Sequence, residues 1–249
     1  MSCALAVTAM VAPRPLSAID KDIDVSLART ESDLNGAFSL LYDSYLRAGL
    51  VQPNAIEKRL TPFHLQPTTE VLVAKYEGQV VSTMTMAADS SLGLPMESMY
   101  PQQVAELRSR SLRLAEMGSL ADRRNSPVRF ACVFAEMARL VVQVAESREI
   151  DALVLASHPR HAKLYARTLG FKQFGDLTSC PYAKGNPAVA LLLEFDRVRG
   201  TAAYDRLVAE RIPYHDLQPT DWPTDTRAYL QALYAQQSQS TSIPTRIAS

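Results

Sequence analysis

Apolar and polar positions recur with two different periods along this chain, and together they predict a mixed α/β fold. From Leu34 to Tyr45 apolar residues return every three or four positions, which predicts an amphipathic helix over 31–47. Elsewhere, short apolar runs bounded by turn residues predict strands. The predicted strands cover residues 24–28, 71–74, 79–88, 114–121, 151–157, 171–177 and 188–195.

Further helices are predicted between these strands. Ser126 followed by Pro127 is a typical helix start, because serine caps the first turn and proline lacks only an N–H that this turn leaves unpaired. That helix is predicted to reach Ser147. Residues 151–157 (DALVLAS) are continuously apolar, as in buried parallel strands, so we expect a mixed twisted sheet flanked by helices. The other predicted helices cover 102–112, 159–169, 206–211 and 226–235.

The ends of the chain and one internal stretch lack this periodicity. Residues 50–69 contain three prolines and predict a long irregular loop, a kind of segment that often carries function. The N-terminal MSCALAVTAMVA is apolar but lacks the positive start of a secretion signal, so we favour a flexible extension over a cleaved leader. The predicted organisation is an N-terminal extension (1–21), a mixed α/β domain (22–197), a helical C-terminal extension (198–235) and a disordered tail (236–249).

Composition excludes several classes of protein. In 249 residues, 26 Lys and Arg balance 26 Asp and Glu, so the chain has no bulk attraction to nucleic acid. No apolar run reaches the roughly 20 residues of a membrane-spanning helix. Three widely spaced cysteines fit a reducing compartment, so we expect a cytoplasmic protein with no disulfide framework.

The segment LYARTLGF, which follows the apolar strand 151–157, carries the first resemblance to a known fold. Ala162 just before it and its first leucine and tyrosine, with the turn after them, resemble the A-x-x-[LF]-Y helix and Leu-Gly-Phe turn of GNAT acyltransferases, with one residue fewer between alanine and leucine. The matching residues are Ala162, Leu164, Tyr165, Leu169, Gly170 and Phe171.

Five other segments narrow the resemblance to the long-chain N-acyl amino acid synthases, relatives of the acyl-homoserine-lactone synthases. Together they cover about residues 25–196. The resemblance implies a GNAT-like fold that joins a fatty acyl chain, from an acyl carrier protein thioester, to the amine of a free amino acid. The segments are LLYDSYLRAGLVQPN (40–54), RLTPFHLQPTT (59–69), DSSLGLPMESMYP (89–101), RLAEMGSLA (113–121) and HPRHAKLY (158–165).

A missing motif bears on the identity of the acyl donor. GNAT enzymes that use coenzyme A normally hold its pyrophosphate on a glycine-rich turn at a helix N-terminus. Residues 121–130 (ADRRNSPVRF) contain no glycine, and Pro127 removes a further N–H donor. The single phosphate of a 4'-phosphopantetheine arm needs fewer donors. The candidate donor-binding residues are Arg123, Arg124, Asn125, Ser126 and Arg129.

Arginines are concentrated around the same stretch. Residues 106–129 hold six arginines against three carboxylates, a local positive excess in a neutral chain. Such a patch would attract an acidic acyl carrier protein, although a solvated helix face is the alternative. The arginines are Arg108, Arg110, Arg113, Arg123, Arg124 and Arg129.

Glu116 is the candidate catalytic base. Amide formation from a thioester requires a neutral amine, so a base must accept a proton. A carboxylate within the apolar strand LAEMGSLA is costly to bury without a task or a partner, though an edge-strand Glu facing water is the alternative. The acyl-homoserine-lactone synthases carry a glutamate in the matching strand. Gly118 predicts a β-bulge that would present a backbone N–H between Met117 and Ser119 to the thioester carbonyl.

The start of the helix at 159–169 supplies candidate substrate contacts. His158 and His161 could contact substrate or relay a proton, orient a carboxylate or serve structure, and without a third ligand we expect no metal. Arg160 could hold the amino acid carboxylate. Tyr165 lies where many GNAT enzymes place an acid for the leaving thiolate, although packing is an equal alternative.

Apolar side chains could also line an acyl tunnel, although such stripes more often belong to an ordinary core. Methionine suits a flexible chain because its side chain adapts to varied shapes. The candidates are Tyr42, Tyr45, Phe63, Met84 and Met86.

The leading interpretation is therefore an amide-forming acyltransferase with no bound metal or redox cofactor. Coenzyme A is the alternative acyl donor. Because the product is a lipid, peripheral contact with a membrane is a further possibility. Three alternative functions remain at this stage: an acyl-homoserine-lactone synthase-like enzyme, an acetyl- or acyl-coenzyme A-dependent GNAT N-acetyltransferase, and a non-catalytic acyl-binding module.

Overall fold

The computed structural model describes residues 23–123 and 129–241. Within them the chain forms a seven-stranded mixed sheet with helices on both faces, as the periodicity predicts. The strands are β1 (Ile23–Leu27), β2 (Thr69–Tyr76), β3 (Gln79–Ala88), β4 (Leu114–Asp122), β5 (Ala152–Ser157), β6 (Lys172–Cys180) and β7 (Asn186–Glu194). The α-helices are α1 (Glu31–Arg47), α2 (Pro101–Ser109), α3 (Phe130–Ser147), α4 (Pro159–Leu169), α5 (Phe195–Val198), α6 (Ala202–Val208) and α7 (Thr224–Thr241).

Local chemistry sets the ends of the helices that the sequence predicts best. The Thr30 hydroxyl accepts the Asp33 N–H while the Asp33 carboxylate accepts the Thr30 N–H, a capping box that starts α1 at the predicted residue. Gly170 ends α4 in the left-handed conformation, where glycine avoids the Cβ penalty. Both helices therefore have the predicted bounds.

The sheet order is β1-β2-β3-β4-β5-β7-β6, and only β4 and β5 pair in parallel in the described part of the chain. The parallel pairing links three residues of each strand, from Leu114 with Ala152 to Glu116 with Val154. Beyond Glu116, β4 continues to pair with β3, and beyond Val154, β5 continues to pair with β7. The two central strands therefore diverge and leave a gap within the sheet.

Three groups of buried side chains cover the two faces of the sheet. On the first face α3 and α4 pack on the central strands, with Met86, Ala115 and Met117 in the same cluster. On the second face α1 and α7 cover β2 and β3, while α2 covers β4, β5 and β7. Because side chains alternate along a strand, Glu116 points to the second face, between the α1 and α2 groups.

Two boundary predictions are wrong. Helix α3 begins at Phe130, and Arg129 before it has extended backbone, so Arg129 is not part of the helix as predicted; the predicted start at Ser126 and Pro127 lies outside the described residues. The predicted tail from 236 is helical as far as Thr241, because the Gln237 side chain bonds to the backbone of Leu60 and holds the last turns of α7. None of the helices in the described ranges is long and apolar enough to cross a membrane.

Candidate active site

The gap between β4 and β5 is bordered by a β-bulge in β4. Thr83 pairs with Ala121 and Thr85 pairs with Gly118, so Ser119 and Leu120 share the position opposite Met84. Ser119 adopts a positive φ of 51°, which turns the backbone at this point. The sequence predicted the bulge from Gly118, and the structure places the left-handed residue one position later.

Glu116 lies at the point where the two strands diverge. Its side chain is buried, with 6 % exposure, and its Oε2 accepts a hydrogen bond of 2.7 Å from the Met96 N–H. Met96 belongs to a short 3-10 turn, Pro95–Ser98, that precedes α2. The alternative of an edge-strand glutamate facing water is therefore wrong.

Burial raises the pKa of Glu116 to about 8. The Met96 N–H stabilises the carboxylate and opposes the rise, whereas the negative charge of nearby Glu97 adds to it. Glu97 itself pairs with Arg108, which lowers the pKa of Glu97. Glu116 is thus a carboxyl group that changes protonation near neutral pH, as a general base requires.

His64 is a buried residue near this site that our sequence reasoning did not select, although the segment RLTPFHLQPTT contains it. Its Nδ1 accepts the Thr61 N–H at 2.9 Å, so in the neutral ring Nε2 carries the proton and donates to Thr85 Oγ1 at 3.1 Å. Thr85 lies in β3, two positions before Ala87, which pairs with Glu116 of β4. Burial and the Arg59 charge lower the pKa of His64 to about 4, so the ring stays neutral.

The loop that carries His64 also carries Arg59, which reaches across the second face. The Arg59 guanidinium carbon lies 4.6 Å from the centre of the Tyr45 ring, and Nη2 donates to the Tyr182 carbonyl at 3.3 Å. Tyr45 lies near the end of α1, while Tyr182 lies in the connection between β6 and β7. Arg59 therefore links the two halves of the sheet on either side of the gap.

Tyr165 occupies the first face. It packs edge-on against Phe134 of α3, with ring centres 5.7 Å apart, and against Phe171. Burial, together with a smaller contribution from nearby Tyr45, raises the pKa of Tyr165 to about 12. Because α1 and α4 lie on opposite faces, this proximity agrees with a gap that opens through the sheet.

A family model for the N-acyl amino acid synthase FeeM matches residues 36–194. The chain belongs to this family. It is an acyltransferase that forms an amide bond. A search of curated protein sequences finds no match.

Solved structures agree on the fold. FeeM, an N-acyl amino acid synthase from uncultured soil microbes, matches with a TM-score of 0.61 and 23% identity over 71% of this chain and 97% of its own. The acyl-homoserine-lactone synthase LasI matches with a TM-score of 0.58 and 15% identity, over 77% and 96%. The coenzyme A-dependent acyl-homoserine-lactone synthase BjaI matches with a TM-score of 0.56 and 14% identity, over 84% of this chain and 100% of its own. The GNAT-like fold expected from the sequence is confirmed.

The predicted acyl-tunnel residues of this FeeM-family chain lie on both faces of the sheet. Met84 and Met86 are fully buried on the first face, against the α3 cluster. Tyr42 and Tyr45 belong to α1 on the second face, where the Tyr42 hydroxyl accepts the Asn54 N–H at 3.3 Å. Phe63, next to His64, is also buried. These residues therefore surround the sheet near β3 and β4, and their role as a tunnel stays a prediction.

The histidine pair starts α4 in the FeeM-family fold. His158 is the N-cap, and its Nδ1 accepts the Arg160 N–H at 3.2 Å. His161 and Arg160 are exposed. The described residues contain no cluster of side chains that could hold a metal. His158 thus has at least a structural task, and substrate contact by the three residues stays a prediction.

Three of the six arginines in the predicted patch pair with carboxylates of the same chain, and the patch as a docking surface stays a prediction. Arg108 pairs with Asp89 and Glu97, Arg110 with Glu194, and Arg113 with Glu149 and Asp151. These carboxylates come from distant parts of the chain, so counting charges along the sequence could not reveal the neutralisation.

Two of the five candidate donor-binding residues are described, one directly after β4 and one directly before α3. Arg123 is exposed and its Nη1 donates to Gln79 Oε1 at 3.4 Å, while Arg129 is the N-cap of α3. Arg124, Asn125 and Ser126 lie outside the described residues.

An open pocket of about 690 Å³ lies at the other end of the central strands, where β4 begins. The end of β3, the start of β4 and Ile150, which precedes β5, contribute to its wall, together with residues 89–93. Arg108 also borders it, but its guanidinium is held by Asp89 and Glu97. We therefore assign the chemistry to the gap between the strands.

Proposed function

We propose that this chain transfers a long-chain fatty acyl group from an acyl carrier protein thioester to the amine of a free amino acid. The observation that carries the proposal is the buried Glu116 carboxyl group at the divergence of β4 and β5. A FeeM-family chain needs a base near the thioester, and a carboxyl group with a pKa of about 8 fits that need.

The reaction forms one C–N bond and breaks one C–S bond. The amine nitrogen attacks the thioester carbonyl carbon, and Glu116 accepts the proton that the nitrogen loses. The bulge at Gly118 and Ser119 would supply backbone N–H groups to the carbonyl oxygen as it gains negative charge. The phenol of Tyr165, protonated because its pKa is raised, would give a proton to the leaving thiolate.

The acyl chain requires an apolar path away from this centre. Tyr45 and Phe63 lie on the second face, and Met84 and Met86 lie on the first, so a chain that enters the gap could meet side chains of both groups. Methionine adapts its shape at small cost, which suits acyl chains of more than one length.

The segment before α3 bears on the identity of the acyl donor. Residues 121–130 contain no glycine, so the usual pyrophosphate turn before α3 is absent from the sequence. We therefore favour the phosphopantetheine arm of acyl carrier protein, with Arg123 and Arg129 near its phosphate, and hence a cytoplasmic enzyme. The relative BjaI is coenzyme A-dependent, so acyl-coenzyme A is the alternative donor.

The test is turnover of the purified protein with matched donors. Long-chain acyl carrier protein and the corresponding acyl-coenzyme A are each incubated with a mixture of amino acids, and products are identified by mass spectrometry. We expect N-acyl amino acids chiefly from the carrier-bound donor. Equal or better use of acyl-coenzyme A would overturn the donor assignment. Homoserine lactone products from S-adenosylmethionine, or acetylated products alone, would overturn the function.

The role of Glu116 is tested with Glu116→Gln, which keeps the shape and removes the base. Turnover should fall about 100-fold or more while the acyl donor still binds. Glu106→Gln changes an exposed carboxylate on α2 and serves as the matched control. If both variants retain full turnover, Glu116 is not the base.

A further inference from the structure

Arg59 combines a buried, unpartnered Nε with the lack of a carboxylate partner among the described residues. Arg108, Arg110 and Arg113 each pair with at least one carboxylate. In the described ranges no carboxylate lies within ion-pair distance of Arg59, and its Nε is buried with no hydrogen-bond partner there. A guanidinium group that is partly removed from water is costly to leave uncompensated. This arrangement indicates that an anion from outside the chain completes it.

The guanidinium is held in a defined orientation. The Tyr45 ring lies under it at 4.6 Å, and the Tyr182 carbonyl accepts one Nη2 hydrogen at 3.3 Å. A guanidinium group has five N–H donors in a rigid planar fork, and only one of its contacts with described residues is a hydrogen bond. The buried Nε–H and its neighbouring Nη–H match the two oxygens of a carboxylate.

Arg59 also lies near the proposed reaction centre. It comes five residues before His64, whose imidazole bonds to Thr85 on the strand next to Glu116. Cys180, at the end of β6, has a half-buried thiol whose pKa is raised by partial burial; the Arg59 charge lowers this pKa and the Glu116 charge adds to the rise. A single side chain therefore lies within electrostatic range of both residues. Glu116 points to the second face of the sheet, where Arg59 lies on the Tyr45 ring, so a cation and a base share that face.

We infer that Arg59 binds the α-carboxylate of the acceptor amino acid and thereby selects acceptors that carry a carboxylate beside the amine. The inference rests on the proposed function. It replaces the exposed Arg160 as the carboxylate-binding residue, because Arg160 on α4 lies in water, where an ion pair gains little. Arg59 holds the carboxylate while Glu116 accepts the proton from the amine of the same molecule.

The test compares each amino acid with its own carboxamide, which has the amine but no negative charge. The wild type should have a lower KM for the amino acid than for its carboxamide. Arg59→Met should raise KM for the amino acid roughly 10- to 100-fold and leave KM for the carboxamide within a factor of about three. Each comparison is made between variants for one acceptor, so the different basicity of the two amines cancels.

Three further variants keep the result interpretable. Arg59→Lys retains the charge without the fork and should give an intermediate KM, and it serves if Arg59→Met does not fold. Arg160→Met tests the competing residue. Arg167→Met, on the exposed side of α4, is the matched arginine control and should behave as the wild type.

Each outcome decides the inference. A KM rise confined to the amino acid supports it. An equal loss with both acceptors indicates a structural role or contact with the donor phosphate, and overturns it, as does loss of selectivity in Arg160→Met alone. If the wild type acylates neither acceptor, the proposed function is wrong and this inference with it. If Arg59→Met has unaltered selectivity, this inference alone is wrong.

Discussion

The side-chain amide of Gln237 makes two hydrogen bonds with the backbone of Leu60. Its Oε1 accepts the Leu60 N–H at 2.7 Å, and its Nε2 donates to the Leu60 carbonyl at 3.0 Å. Leu60 follows Arg59 and precedes the short 3-10 turn Pro62–Leu65, which contains His64. A helix beyond the family match at 36–194 thus holds the loop that brings both side chains to the site.

Gln237→Ala removes both hydrogen bonds and leaves two buried backbone groups unpaired. We expect the free energy of unfolding to fall by about 1–3 kcal/mol and the KM for acceptor to rise, because the loop loses its outer support. Chemical denaturation and steady-state kinetics measure the two effects. Gln239→Ala, on the exposed side of α7, is the control. Equal behaviour of the two variants would show that the loop holds its position without α7.

The rate should depend on pH through Glu116. The pKa of Glu116 is raised to about 8 by burial, so the carboxyl group is largely protonated at pH 6 and cannot accept a proton. We expect kcat to rise from pH 6 to pH 9 with a midpoint near 8. A rate that is flat over this range, with chemistry shown to limit turnover, would contradict the assignment.

Glu116 should also affect stability, which provides a measurement independent of activity. The folded state holds the Glu116 proton up to about pH 8, whereas the unfolded chain loses it near 4.5. Between these values the folded state binds more protons, so stability falls as pH rises. Relative to Glu116→Gln, the wild type should lose stability from pH 5 to pH 8 in denaturant titrations. A constant difference would mean that the carboxyl group is not buried.

Glu97 offers a way to shift the Glu116 pKa without touching the reaction centre. The charge of Glu97 raises the pKa of Glu116, so Glu97→Gln should move the rise in kcat toward lower pH. Glutamine retains an oxygen that can accept the Leu94 N–H, which Glu97 accepts at 2.6 Å. The pH profile of the variant checks this, and an unmoved midpoint would show that the two carboxyl groups do not interact.

His64 should make the fold sensitive to acid. Its pKa is about 4 in the folded state, because the ring is buried and Arg59 lies near, whereas unfolded histidine titrates near 6.5. Between these values the unfolded chain binds more protons than the folded one, so the protein becomes less stable as the pH is lowered. The wild type should lose about 3 kcal/mol relative to His64→Gln from pH 7 to pH 4. The difference between variants removes the opposite contribution of Glu116.

The sequence by itself determined those parts that depend on near neighbours in the chain. Helices 31–47 and 159–169 follow from apolar spacing with a cap, and Gly118 indicated a bulge because an isolated glycine inside a strand is itself a local signal. Glu116 stood out because a carboxylate in an apolar strand is costly wherever that strand packs. The segments in the resemblance led to the family that the comparisons confirm.

Only the tertiary structure decided which distant groups share a site. Arg59 meets Tyr182 across 123 positions, and Leu60 meets Gln237 across 177, contacts that no local pattern encodes. The same distance in sequence hid the carboxylates that neutralise Arg110 and Arg113. Hydrophobic periodicity records which side of an element is buried, but the partner that buries it is chosen by the packing of the whole chain.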